Sequence, residues 1–409
     1  MTDNSEKKKR RKPHMSADIK IFTDDIEGQA LDQCRTIAKS PVFETARIRI
    51  MPDVHAGKGC VIGFTATGMT KLIPNLVGVD IGCGMLTARL NADHLDLAKL
   101  DRLIAQRIPA GFDVHGHEVA EAQSYLDELI CRDRIRNRSR LLASLGTLGG
   151  GNHFIEVDRD KDDRLYLVIH TGSRNLGVQV AEIYQDLAIK HCSGSDREEI
   201  DALIADLKAQ GREREISDEL AKLKADTPHV AKELTWCSEA DSRDYLHDAW
   251  VATRFARHNR ERILETILTG MGITADMTFH TTHNYVDMRD PDHPVIRKGA
   301  VSAGLDEMLL IPMNMRDGCL LCRGLGNDDW NCSAPHGAGR LMSRATARES
   351  IPLEDFIESM RGIYTTSVCA ATIDESPFAY KDAETIRERI GATARIERTL
   401  KPIYNFKAH

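Results

Sequence analysis

Along the first third of the chain, short apolar runs alternate with glycine-rich turns. ARIRIMPDVHAGKG and LVGVDIGCGM each read as a strand that runs into a tight loop. HLDLAKLDRLIAQRI instead places its apolar residues at helical spacing. Between Gly146 and Gly177 two further strand-like runs, HFIEV and RLYLVIH, carry polar residues at their ends. The pattern changes from Ser193 to about Met271. REEIDALIADLKAQ, SDELAKLKA and RFARHNRERILETIL repeat apolar residues at i, i+3 and i+4 among many charges. This predicts a helical insertion at about residues 193–271, with no chemistry in it beyond isolated histidines (His191, His229, His247, His258). After Thr278 the turn-rich style returns in HTTHNYV, RKGAV, LLIPMNMRDG and RGLGN, and a helix is expected around LEDFIESMRGIY. Strands and helices in mixed order, without a regular βαβ rhythm, indicate an α+β fold. The predicted organisation is a basic tail over residues 1–18 and one domain over residues 19–409.

Composition narrows the class. Of 409 residues 42% are hydrophobic, enough for a full core, and no apolar run approaches the ~18 residues of a membrane-spanning helix. The start has basic residues, Lys7 to Lys12 unbroken, but no apolar stretch of a secretory signal. The tail reads as solvated, with contact to nucleic-acid phosphates as the sharper reading. A net charge of -7 argues against a protein that coats nucleic acid with its whole surface, and leaves a local basic cleft open. Ten cysteines with no export signal predict a reducing, cytoplasmic setting rather than a disulfide scaffold. Cys319 and Cys322 resemble half a zinc knuckle, but strand alternation would put them on opposite faces and no second CxxC exists.

Candidate chemistry gathers at strand-to-loop junctions. His55, His153, His170, His283 and His336 sit in or beside glycine, asparagine or proline turns, so they are expected to line one cleft. Asp80 and Cys83, three positions apart in DIGC, offer a carboxylate and a thiolate to one ion. With imidazoles, that set suits Mn, Fe, Co or Zn. GTLGGGNHF exposes backbone N–H groups that suit phosphate, yet it is neither a Walker A loop nor a dinucleotide fingerprint. His336, in PHGAGR, is either a phosphorus nucleophile or a metal ligand on sequence logic alone. Lys58, Arg174, Lys298, Arg323, Arg340 and Arg344 lie near these loops and fit an anionic substrate.

MPDVHAGKG, VGVDIGCGM, GTLGGGNHFIEV, HTGSR, HNYV, RKGAV, RGLGN and HGAGRLMSR, in this order, resemble the RtcB family of RNA ligases, with an AYKD match at Ala379 to Asp382. The resemblance implies a single catalytic domain and a GTP- and Mn(II)-dependent ligase with two ions. Its partners would be RNA ends, a 3′-phosphate or 2′,3′-cyclic phosphate on one side and a 5′-hydroxyl on the other, in RNA repair or tRNA splicing. It implies metal ligation by Asp80, Cys83, His153, His170 and His283, and covalent attachment of GMP to His336. Nucleotide contacts would come from Asn152, Phe154, Glu156, Ala338, Gly339, Tyr380 and Lys407. Asn314 joins them, in a loop that departs from the family's IPGSMG: here it reads IPMNMRDG, with Met313 and Asn314 in place of a glycine and a serine. The alternative is a metal-dependent phosphoesterase acting on RNA ends with the same cluster and no covalent nucleotide.

Overall fold

The computed structural model describes residues 17–193, 197–225 and 230–408. The basic run Lys7 to Lys12 and His229 lie outside the described residues. Asp18, expected in the tail, opens the first strand. Along the chain the strands are β1 (Asp18–Ile21), β2 (Arg47–His55), β3 (Ile62–Thr67), β4 (Gly84–Leu90), β5 (Phe154–Arg159), β6 (Leu165–Thr171) and β7 (Ala275–Thr282). They continue as β8 (Asn284–Asp287), β9 (Val295–Lys298), β10 (Ala300–Ser302), β11 (Met308–Pro312), β12 (Cys319–Gly324), β13 (Ser333–Pro335) and β14 (Ala394–Lys407). One sheet has the order β1-β2-β3-β9-β8, a second β11-β12-β14-β5-β6-β4-β7, and β10 pairs with β13. Strands and helices are mixed as the α+β expectation requires.

The larger sheet is buried on both faces, and the two-residue strand period sorts its side chains. In β6, Leu165, Leu167 and Ile169 join an apolar cluster with Leu100 and Ile104 of the helix Leu97–Arg107 and with Ile263, Leu264 and Ile267 of the helix Glu239–Met271. Tyr166 and Val168 face the other way, packing with Met85, Leu310 and Leu400. His170 continues that second file, so the alternation that builds the core also delivers an imidazole to the opposite face. β5 repeats the logic: Ile155 and Val157 enter the first cluster, while Phe154 enters the second. Cys319 and Cys322 of β12 fall into different clusters, on opposite faces, as alternation predicts.

The stretch expected to be a helical insertion is helical, through Arg197–Ala209, Ile216–Ala225 and Glu239–Met271. The last helix is capped by Ser238, whose side chain accepts from the Asp241 N–H, and ends at Gly272 in the left-handed region. It is no detached layer. Tyr245, Ala252 and Phe255 belong to one core cluster and Ile263 and Ile267 to another, so this helix packs under both sheets.

Candidate active site

The five junction histidines do meet. Ring centroids are separated by 5.3 Å for His153 and His170, 5.2 Å for His170 and His283, 5.0 Å for His283 and His336, and 6.4 Å for His336 and His55. Around them, two sets of donor atoms converge: Asp80, Cys83 and His153 in one, Cys83, His170 and His283 in the other. Cys83 belongs to both. Its Sγ lies 3.5 Å from His153 Nε2 and 3.4 Å from His170 Nε2, and Asp80 Oδ2 lies 3.2 Å from His153 Nε2.

Backbone carbonyls fix which imidazole nitrogen faces the cluster. His153 Nδ1 is 2.9 Å from the Leu148 carbonyl and His170 Nδ1 is 3.2 Å from that of Asn152. A proton on each Nδ1 leaves Nε2 as the ligating atom, the usual outer-shell arrangement of a metal-binding histidine. His283 Nδ1 is buried without a hydrogen-bond partner. Burial and the neighbouring imidazoles push His170 and His283 well below the ordinary histidine range, so both stay neutral with a lone pair to give. Burial is the largest influence on Asp80 and opposes its ionisation, but the hydrogen bonds from His153 and Cys83 and the charges of His153 and Arg174 together hold the carboxyl below its usual value. Cys83, buried beside Asp80, is pushed well above the ordinary thiol. A cation between them reverses that balance and makes it a thiolate ligand. The donor set therefore fits divalent metal, with Cys83 as the shared ligand.

The sequence did not disclose what holds these loops. Asn259 and Arg260, on the helix Glu239–Met271, are fully buried. Asn259 Oδ1 accepts from the Gly146 and Thr147 amides, at 2.7 and 3.1 Å, and its Nδ2 donates to the Thr147 carbonyl. Arg260 Nη1 donates to the carbonyls of Gly82 and Thr171, at 3.0 and 2.8 Å. One helical turn thus ties together the DIGC, GTLGGGNH and HTGSR loops, a positioning role in a stretch expected to carry no chemistry beyond isolated histidines. The signal was there in HNRE, two polar residues on an otherwise apolar helix face. Gly172 is required by closeness alone, since a Cβ there would lie 2.2 Å from Asp80 Oδ1.

Next to the cluster, a cavity of about 600 Å³ is lined by Asn152, Phe154, Glu156, Asn314, Ala338, Gly339, Tyr380 and Lys407 together with His170 and His336. All eight residues expected at a nucleotide are thus brought to one wall-to-wall space. His336 stands at its junction with the metal cluster. Its Nδ1 is 2.6 Å from Asp53 Oδ2, which also accepts from the His336 and Gly337 amides. Asp53 is fully buried. The carboxylate holds the proton on Nδ1, and Nε2 is left without a protein partner among the described residues. Gly339 is left-handed, at φ +79°, and a Cβ there would lie 2.4 Å from the Asp53 carbonyl oxygen.

Glu375 organises the cavity floor and was likewise missed. Its Oε2 accepts from Tyr380 Oη at 2.7 Å and Lys407 Nζ at 2.8 Å, and its Oε1 lies 3.0 Å from Arg344 Nη1. Burial opposes the charge, but Lys407 and Arg344 overcome it and hold the carboxyl below its usual range. Lys407 Nζ also lies 5.3 Å over the Phe154 ring. Asn314 lines the cavity with its side chain committed to its own turn: Oδ1 accepts from the Arg316 and Asp317 amides and Nδ2 donates to Asp317. Of the cations singled out in the sequence, Lys58, Arg340 and Arg344 line the cavity. Arg174 sits over the glycine loop, donating from Nε to Thr147 Oγ1. Lys298 is spent on the Lys58 and Asn75 carbonyls, and Arg323 is paired with Glu397 on the surface.

Residues 33–134 and 131–408 match the family described as tRNA-splicing ligase RtcB. Among curated relatives, the RNA-splicing ligase RtcB of Escherichia coli strain K12 is 30% identical, covering 95% of this chain and 97% of its own. The tRNA-splicing ligases RtcB of Aeropyrum pernix and Archaeoglobus fulgidus are each 25% identical, covering 96% and 92% of this chain. With the donor cluster, the apposed histidine and all of the cavity lining except Glu27 and Gln29 inside the matched span, the chain belongs to the RtcB family.

Proposed function

We propose that this protein is an RNA ligase that joins a 3′-phosphate or 2′,3′-cyclic phosphate end to a 5′-hydroxyl end through GMP carried on His336, with GTP as co-substrate and Mn(II) as the metal. The observation that carries the reading is the position of His336: Nδ1 locked by Asp53, Nε2 free, and the ring 5.0 Å from His283 at the mouth of the cavity. That orientation alone would suit a ligand as well; His336 stands outside both converging donor sets and opens onto the cavity, which supports the nucleophile reading.

Asp80, Cys83, His153, His170 and His283 would hold the divalent ions, which supply charge neutralisation on phosphate oxygens. Phe154, Tyr380 and Lys407 border the space for the base, and Asn152, Arg340 and Arg344 that for phosphate and ribose. His336 Nε2 attacks the α-phosphorus of GTP as the bond to the β-phosphate oxygen breaks and pyrophosphate leaves. The product is a phosphoramidate, with the ring's positive charge balanced by Asp53. An oxygen of the RNA 3′-phosphate then displaces Nε2, forming an RNA–pyrophosphate–guanosine end. The 5′-hydroxyl attacks the 3′-phosphorus, loses its proton and expels GMP. Orientation and preorganised charge carry most of the rate.

Incubation with GTP labelled at its α-phosphorus tests this: wild type takes up label and His336→Ala takes up none. Label retained by that variant would overturn the nucleophile assignment. A wild type that binds metal and opens cyclic phosphates without ever forming the adduct would instead be the phosphoesterase.

A further inference from the structure

Phe112 lies in the loop between the helices Leu97–Arg107 and Ala120–Glu128, and it is 91% exposed. An aromatic ring left in water calls for an explanation when the backbone beneath it is pinned. The Gly111 amide donates to the Gly149 carbonyl at 2.9 Å, the Leu148 amide to Pro109 at 2.9 Å, and the Asp113 amide to Ala110 at 3.1 Å. The loop is thereby fastened to the glycine loop that presents His153 to the metal cluster. Two arginines flank it. Arg140 donates from Nη2 to the Phe112 carbonyl, and Arg174 donates from Nη2 to the Gly111 carbonyl at 3.4 Å. Among the described residues neither forms an ion pair with a carboxylate. The acids of this loop, Asp113 and Glu118, pair with neither among the described residues. Two cations are thus brought together beside an exposed ring, Arg174 on the side of Asp80 and the donor cluster and Arg140 without a carboxylate partner among the described residues.

We infer that Phe112, Arg140 and Arg174 form a platform for single-stranded RNA entering the cluster, with a base stacked on the Phe112 ring and backbone phosphate between the guanidinium groups. The inference rests on the ligase reading for the identity of the strand, while the platform is read from its own chemistry. A ring paired with cations is how sequence-tolerant single-strand binding is built. It also places positive charge locally on a chain whose net charge is -7.

The test is fluorescence anisotropy with a labelled RNA oligonucleotide bearing a 5′-hydroxyl and a 3′-phosphate, run across a salt series. Phe112→Ala should weaken binding about tenfold and Phe112→Trp should restore it. Arg140→Ala should weaken it and reduce the salt slope by about 0.7 for the lost phosphate. Both side chains are exposed, so thermal melts should match wild type. Unchanged RNA affinity in both variants overturns the platform, whether or not GMP attaches to His336. Weakened affinity in variants of a protein that never forms the GMP adduct sustains the platform and sinks the ligase reading. A loss on Phe112→Ala that Phe112→Trp fails to restore also overturns the stacking role.

Discussion

The histidine wall and the Glu375 floor of the same cavity both bury polar groups, and they satisfy them in opposite ways. On the wall, donor atoms converge on one another: Cys83 Sγ faces two imidazole nitrogens, and His283 Nδ1 has no hydrogen-bond partner among the described residues. On the floor, every charge is answered from within, Glu375 taking Lys407, Tyr380 and Arg344. Converging lone pairs are costly until a cation arrives, whereas an internally paired set is complete without a ligand. The wall therefore fits a metal, and the floor is scaffolding that fixes the shape and polarity of the cavity.

The largest break in this contrast comes from the shared ligand. Cys83→Ala removes a donor from both sets at once, so metal content after dialysis, read by elemental analysis, should fall for both ions and ligation should be lost. Retention of full metal content would deny that the two sets share a ligand. Asp53→Asn comes next. An amide in place of the carboxylate can present a donor to His336 Nδ1, which moves the imidazole proton to Nε2 and blocks the nucleophile. The GMP-adduct rate should fall by roughly 10²–10⁴ while metal content stays at the wild-type level. An unchanged adduct rate would show that Asp53 does not set the tautomer.

The wall was far more legible in the sequence than the floor. Asp80, Cys83, His153, His170, His283 and His336 all stand in glycine, asparagine or proline turns at strand ends, where the chain order itself announces a site. Glu375 stands in DESPF, a turn with nothing unusual in its pattern, and matters only because β14 returns Lys407 alongside Phe154 of β5. Asn259 and Arg260 were hidden by an i, i+3 rhythm that reads as ordinary amphipathic helix. Asp53 stood unmarked in MPDVHAGKG, since its partner is 283 positions away. Local periodicity shows strands, helices and strand-end loops. It is silent on which distant polar residues close a network.

The floor gives the next test. Glu375→Ala leaves Lys407 buried without its partner. Removing one member of a buried pair is expected to destabilise by about 3–5 kcal/mol, measurable by urea unfolding. The Glu375→Ala, Lys407→Met double variant should recover part of that loss. If the single variant costs under about 1 kcal/mol, the floor is not a paired scaffold.

The smallest effect expected is on pH dependence, and it tests where the wall and floor meet. Glu156 and Asp158 point the same way from β5, with Cys319 of β12 beside them. Burial, and then for Asp158 the negative charge of Glu156, raise both carboxyls above the usual range. Asp158 is fully buried and neither of its oxygens has a partner in its ionised form. The pair therefore keeps protons in the folded state that the unfolded chain releases near pH 4. The native state binds more protons, so stability falls as pH rises above that point and continues to fall until the folded pair ionises. Asp158→Asn keeps the shape and removes one of these protons from the balance. Its stability relative to wild type should rise between pH 5 and pH 7 by about 2–3 kcal/mol, the ~1.4 kcal/mol per pH unit of one proton taken over two units. Urea unfolding at the two pH values measures the difference. A variant whose relative stability does not change over that interval would mean that Asp158 is already ionised in the folded protein and keeps no proton there.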